Sequence, residues 1–86
     1  MKNSYGILGG GSWGTALIKI LSENSESINW YLRNPKNVEH IQNFHRNPNY
    51  LRSVVLNTKK INLSSSIEEI VKNSTVIILA IPSPFL

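Results

Sequence analysis

The sequence predicts an α/β chain with an open parallel sheet covered by helices on both faces, and three observations carry that expectation. Short apolar, β-branched runs alternate with stretches of helical periodicity. Those runs are too continuous for half-solvated antiparallel strands, which would alternate apolar with polar residues. A glycine cluster also stands directly between the first run and the first helical stretch, where a strand must turn into a helix.

Taken in order, Tyr5-Gly6-Ile7-Leu8 reads as a buried first strand entering a tight turn at three glycines. Trp13, Ala16, Leu17, Ile20 and Leu21 recur at helical spacing and predict a first helix with that face inward, followed by a polar break from Ser22 to Ser27. Ile28 to Leu32 is β-branched and aromatic enough for a second strand. Asn34-Pro35 supplies an N-cap and then a proline at the first helical position, so a second helix carrying Val38 and Ile41 should run to about Phe44. From His45 to Thr58 no period holds and Asn47-Pro48 interrupts, which predicts a loop with at most a short extended piece at Val54 to Leu56. Ile61-Asn62-Leu63 predicts a weak third strand, and Ser66 with Glu69 a capping box opening a third helix on Ile67, Ile70 and Val71. Thr75 to Ile81 is the most strand-like stretch; it should be buried on both faces, lie beside strand one, and end at Pro82 and Pro84.

This order is half of a doubly wound sheet, a partial Rossmann fold expected to be truncated after its fourth strand. Its ligand crevice should lie between strand one and the last strand. The length, 86 residues, suits one small domain that buries roughly 60–65% of its unfolded surface.

Composition narrows the function. The net charge of +4 is spread along the chain, with Lys59-Lys60 the only adjacent basic pair and no aromatic residues interleaved, a pattern that fits a small anionic ligand better than nucleic acid. The chain has no cysteine, hence no disulfide framework or thiolate metal site, and no apolar run long enough for a signal peptide or a bilayer span. A soluble cytoplasmic protein without membrane insertion is the expectation.

Gly9-Gly10-Gly11-Ser12-Trp13-Gly14 satisfies Gly-x-Gly-x-x-Gly in the strand-to-helix setting that this motif requires for dinucleotide binding. Gly9 is assigned to the tight turn, Gly11 to the close approach of a pyrophosphate, and Gly14 to close packing of helix on strand. The helix start adds free amides and about half a positive charge. Trp13 reads more readily as core than as a ligand contact. At the end of strand two, where an NAD-selective site usually carries an acid, stands Arg33; the chain contains no aspartate. A guanidinium there can pair with the 2′-phosphate of NADP or lie on the adenine, so NAD or NADP is expected. His40 and His45 have no partners that would complete a metal or triad arrangement and read as surface or capping residues.

Four ordered blocks, Gly9 to Leu17, Trp30 to Asn34, His45 to Leu51 and Ala80 to Ser83, resemble the amino-terminal domain of bacterial NAD(P)-dependent glycerol-3-phosphate dehydrogenases over nearly the whole chain. The resemblance implies that Ser12 and Trp13 meet the pyrophosphate region, that Arg33 handles the adenosine end with Tyr50 lining the same pocket, and that Pro82 and Phe85 border the nicotinamide side. It further implies hydride transfer between the nicotinamide and C2 of dihydroxyacetone phosphate or sn-glycerol 3-phosphate, for phospholipid synthesis. The substrate-activating lysines would lie in later segments, with a separate helical substrate domain that is absent from residues 1–86, so no catalytic residue is assigned within them. A homodimer is compatible with this reading. Two departures are Arg52-Ser53, where the family favours Pro-Gly, and Pro84, where it favours glutamine. The alternatives are the cofactor domain of another two-domain reductase, of 2-ketopantoate or hydroxyacid type, and a non-catalytic nucleotide-sensing module.

Overall fold

The computed structural model describes residues 3–24 and 27–80. Strands β1 (Tyr5–Leu8), β2 (Ile28–Tyr31), β3 (Ile61–Ser64) and β4 (Val76–Leu79) form one sheet in the order β3-β2-β1-β4, with every neighbouring pair parallel. Helices α1 (Ser12–Asn24), α2 (Pro35–Phe44) and α3 (Ile67–Lys72) alternate with the strands, and a 3-10 turn at Thr58–Lys60 leads into β3. The chain steps from β1 to β2 to β3 in one direction and then returns to the far side of β1. Right-handed crossovers therefore put α1 and α2 on one face and α3 on the other. The reversal lies between β1 and β4, so the α/β class and the placement of the last strand beside the first are as the sequence predicts.

Register explains which residues build the core. Ile7 pairs with Trp30 on one side and Ile78 on the other, and Trp30 pairs with Leu63, making an apolar row on the face of α1 and α2. Ile28 and Ile61 extend it, and Ile18, Ile41 and Leu56 close over it from α1, α2 and the loop before β3. The opposite row runs Ile77, Gly6, Asn29, Asn62 and is largely polar. Buried Asn29 donates to the carbonyl of Asn73 (3.0 Å) and to Ser74 Oγ (2.9 Å), and accepts from Asn62 (3.1 Å). Gly6 must lack a side chain here, because a Cβ would lie 2.5 Å from Ser74 Oγ and 2.8 Å from Ile77 Cδ1. Asn62 made β3 look weak in the sequence, and in the fold it belongs to this polar ladder under α3.

Four local expectations are corrected. The buried face of α1 is Gly14, Thr15, Ile18 and Ser22, whereas Trp13 is 74% and Ile20 57% exposed. Gly14 must face the sheet, and at about 100° per residue this brings Ile18 and Ser22 inward and turns Trp13 and Ile20 out. The helix also continues through the supposed polar break to Asn24: Ser22 Oγ donates to the Lys19 carbonyl (3.0 Å) and Asn24 Nδ2 to the Ile20 carbonyl (3.0 Å). The capping box at α3 is half formed. Ser66 Oγ accepts from the Glu69 N–H (3.3 Å), but the Glu69 carboxylate reaches Asn62 (3.2 Å) instead of turning back. Finally, β4 is not buried on both faces, since Leu79 is 66% exposed and Ile77 39%; the six-residue α3 lies over β1, β2 and β3 and does not cover it.

Two glycines of the first turn are held under different constraints, and their substitution separates them. A Cβ on Gly14 would collide with the backbone carbonyl of Gly9 and meet Ala80 Cβ at 3.6 Å, while a Cβ on Gly11 meets nothing within 4 Å. Gly14→Ala should lower stability by about 1–3 kcal/mol and Gly11→Ala change it by less than about 0.5 kcal/mol, as measured by urea unfolding. Equal losses would contradict the packing described.

Candidate functional site

The first strand ends in a turn whose backbone only glycine adopts readily. Gly9 has φ +132°, and a Cβ there would run into the backbone carbonyl of Ala80, at the end of β4. Its N–H is still held by the Tyr31 carbonyl (3.3 Å), so the sheet ladder continues to the last residue before the turn. α1 starts at Ser12, which leaves the first amides of the helix pointing out of its end. The space beside Gly11 is open.

Beside this turn lies an open cleft of about 700 Å³. Its floor is Gly9, Gly10 and Gly11, one end is Ala80 after β4, and the other wall is Arg33 and Asn34 with Pro35 of α2. Asn49 and Tyr50 close the third side from the loop that follows α2. Three strand ends, one helix start and one loop thus converge at the carboxyl edge of the sheet, where the strand order reverses. That edge is where ligands bind in open α/β sheets.

The start of α2 is built as its sequence suggests. Asn34 sits in extended conformation and its Oδ1 accepts from the Lys36 N–H (2.9 Å), with Pro35 at the first helical position. This cap fixes the direction of the chain after β2 and leaves the exposed Arg33 on the cleft wall. The helix ends at His45, whose backbone takes the left-handed conformation (φ 61°) and whose N–H bonds the Ile41 carbonyl (2.7 Å). The His45 ring meets Thr58 Oγ1 at 2.7 Å and the His40 ring stacks near Phe44 at 4.7 Å, so both histidines have structural partners. Among the described residues no group of three His, Cys, Asp or Glu is placed to hold a metal.

Of the residues singled out in the sequence, Gly9, Gly10, Gly11, Arg33 and Tyr50 line one cleft. Gly14 is buried under the turn, as packing of helix on strand requires, and Ser12 is exposed at the helix start. Trp13 is not core: it lies outside the cleft lining, beside Leu17, Ile78 and Leu79 along the β4 edge. Pro82 and Phe85 lie outside the described residues.

In the sequence Asn47 reads as half of a loop signal and as part of the His45 to Leu51 block, with no role of its own. The structure buries it to 3% exposure, with its amide donating to the Gly10 carbonyl (2.9 Å) and to Thr15 Oγ1 (2.8 Å), and its Oδ1 accepting from the N–H groups of Asn49 (2.9 Å) and Tyr50 (3.2 Å). The signal available in the sequence was an Asn two and three residues before positions that must be held in a turn. Farther along the loop, Arg52-Ser53 forms a turn closed by the Val54 N–H on the Leu51 carbonyl (2.9 Å), with Leu51 at φ 51°. The turn therefore forms here without Pro-Gly.

Comparison with known proteins agrees with the fold and with the motif. A family model described as the NAD-dependent glycerol-3-phosphate dehydrogenase N-terminus matches residues 4–86. The chain is 30% identical over 83 residues to a glycerol-3-phosphate dehydrogenase [NAD(P)+] of Limosilactobacillus reuteri, covering 96% of the chain and 24% of the relative. It is 36% identical over 80 residues to the enzyme of that name from Agathobacter rectalis, covering 93% and 24%. The crystal structure of glycerol-3-phosphate dehydrogenase from Coxiella burnetii superposes with a TM-score of 0.82 at 26% identity, over 95% of this chain and 25% of that one. The chain spans about a quarter of the length of these relatives, and over that span the strand order, the glycine turn and the family match agree: it belongs to the family of NAD-dependent glycerol-3-phosphate dehydrogenase amino-terminal domains.

Proposed function

We propose that the cleft at the carboxyl edge of the sheet binds NAD or NADP, and that the chain is the nucleotide-binding part of a glycerol-3-phosphate dehydrogenase. The observation that carries this reading is the unfilled space beside Gly11 at the start of α1, in a chain of this family. A pyrophosphate fits there on steric and electrostatic grounds: no side chain stands in the way, and the helix end offers unpaired N–H groups and a partial positive charge. Gly9, Gly10 and Gly11 would lie against the phosphates, with Ser12 at the helix start. Arg33 and Tyr50 would flank the adenosine end, Arg33 by pairing with a phosphate or stacking on the ring and Tyr50 through its half-exposed ring. Trp13, Pro82 and Phe85 belong to the proposed cofactor surface through the family resemblance.

When bound, the nicotinamide supplies the hydride that interconverts dihydroxyacetone phosphate and sn-glycerol 3-phosphate. What these residues contribute is binding and orientation. Among the described residues no side chain in the cleft is a candidate for holding the substrate ketone or its proton: the lining residues are glycines, asparagines, Leu32, Pro35, Ala80, Arg33 and Tyr50, and the arginine and tyrosine are assigned to the adenosine end. Those roles fall to the remaining length seen in the relatives, including the proposed helical substrate domain. Among the described residues no helix is long and apolar enough to cross a membrane. A cytoplasmic setting and a homodimer go with this reading, and the lack of cysteine accords with a reducing compartment. No specific observation favours the ketopantoate-type, hydroxyacid-type or sensing-module alternatives.

Three outcomes are expected. Gly11→Val should abolish binding of NADH and NADPH in a fluorescence titration while leaving the unfolding transition intact, because the added carbons occupy the ligand's space and not the protein's; unchanged affinity would refute the assignment. Arg33→Ala should weaken NADPH more than NADH by about ten- to a hundredfold, the size of a charge-assisted pair, and an equal loss for both would mean that Arg33 stacks on adenine or stays solvated. The 86-residue chain alone should oxidise neither cofactor with dihydroxyacetone phosphate, and substrate-dependent oxidation would place a catalytic group within it.

A further inference from the structure

The glycine turn is tied down through its carbonyls. Trp30 Nε1 donates to Gly9 O (2.8 Å), Asn47 Nδ2 to Gly10 O (2.9 Å) and Thr15 Oγ1 to Gly11 O (2.8 Å), so three consecutive carbonyl oxygens are each held by a side chain from a different element. A carbonyl oxygen repels a phosphate and an N–H attracts it. With the oxygens held by side chains, the amides of Gly10 and Gly11, which have no partner among the described residues, are left for the cleft. Two of the three pins are local to the nucleotide-binding unit: Thr15 lies one turn along α1, and Trp30 is in the neighbouring strand. Asn47 is different, because it comes from a loop 37 residues away and makes two further bonds that fix that loop.

We infer that Asn47 is a positioning residue that couples the two ends of the proposed nucleotide site, holding Gly10 O away from the phosphates with its amide nitrogen while setting Tyr50 against the cleft with its amide oxygen. The inference rests on the nucleotide-binding reading of the cleft. All four hydrogen bonds of Asn47 lie between 2.8 and 3.2 Å, and at 3% exposure the side chain is shielded from competing water. Thr15 is part of the same device: its hydroxyl accepts from Asn47 and donates to Gly11 O, so a single chain of hydrogen bonds runs from the loop to the second glycine of the Gly-x-Gly-x-x-Gly motif. Aspartate at this position would retain the two acceptor roles toward Asn49 and Tyr50 but would lose both donors and set a carboxylate against the Gly10 carbonyl. It cuts the tether while leaving the loop's own turn in place.

The test is a double-mutant cycle on the 86-residue chain, isotope-labelled for NMR and titrated with NADPH. Asn47→Asp should weaken binding about tenfold or more, and Tyr50→Ala, expected to weaken binding in the parent chain, should have little further effect in the Asn47→Asp background, because the loop, its own turn intact but cut from Gly10 and Thr15, no longer holds Tyr50 against the cleft. A merely structural role for Asn47 would instead leave the two effects additive. In the ligand-free chain Asn47→Asp should shift the amide signals of Gly10, Gly11 and Ser12 while those of Ile28 to Tyr31 stay in place, and Thr15→Val should shift the same turn signals in part. Additive losses, or turn signals unmoved by Asn47→Asp, would overturn the inference. A parent chain whose turn signals respond to Asn47→Asp but not to NADPH would overturn the nucleotide reading, and with it the ligand role given to Asn47, while leaving the tether itself established.

Discussion

Everything at the cleft depends on how closely α1 approaches the junction of β1 and β4. Gly14 has no side chain to stand between the helix and the Gly9 carbonyl, and Gly9 takes a backbone conformation that brings it against Ala80. Contact at this distance fixes the position of the helix end relative to the carboxyl edge of the sheet. It also fixes the rotation of α1 about its axis, since the residue that touches the sheet must be Gly14. Ile18 and Ser22 are then core, and Trp13 and Ile20 are surface, whatever their hydrophobicity would favour. A single steric requirement thereby sets where the free amides of the helix point and which of its side chains stabilise the sheet.

Around that contact the protein uses polar atoms as structural members. Trp30, the largest buried side chain, packs among the isoleucines of the core while its indole N–H holds the Gly9 carbonyl. Thr15 and Asn47, fully or nearly buried, complete the set, and no buried side-chain polar atom among the described residues lacks a partner. Buried hydrogen bonds of this kind contribute modestly to net stability, but breaking one leaves an orphaned group at a cost of about 1–3 kcal/mol, which makes alternative arrangements of the turn unfavourable. The turn is therefore held in one geometry before any ligand arrives. Such preorganisation favours binding because less ordering remains to be done.

The two faces of the sheet are covered unequally. On one face α1, α2 and the loop around Leu56 bury a continuous apolar row. On the other, α3 is only six residues long, sits on Asn29 and Asn62 through hydrogen bonds as well as Ile70, and leaves Ile77 and Leu79 of β4 exposed. β4 is thus the least covered strand of the sheet, in a chain that spans about a quarter of the length of its relatives. The glycine turn lies on the well-packed side of this asymmetry, so the cleft is built where the fold is best supported.

The sequence by itself determined the class of fold, the succession of strands and helices, the placement of the last strand beside the first, and the glycine turn between β1 and α1, on which the candidate site is centred. It could do so because these follow from short-range signals: β-branched runs, an Asn-Pro cap, and glycines spaced for a strand-to-helix turn. Only the tertiary structure decided the inward face of α1, the half-formed box at Ser66 and Glu69, the polar ladder beneath α3, and the hydrogen bonds of Asn47. Each of these turns on a partner that local periodicity does not report: Ala80 for Gly9, Asn62 on the neighbouring strand for Glu69, Asn29 for Ser74, and Gly10 for Asn47. Periodicity reports that a helix has an apolar side, but it cannot say which residue must give way to a backbone carbonyl. An asparagine before a proline likewise reads as a loop until the fold brings a carbonyl and a hydroxyl within reach of its amide.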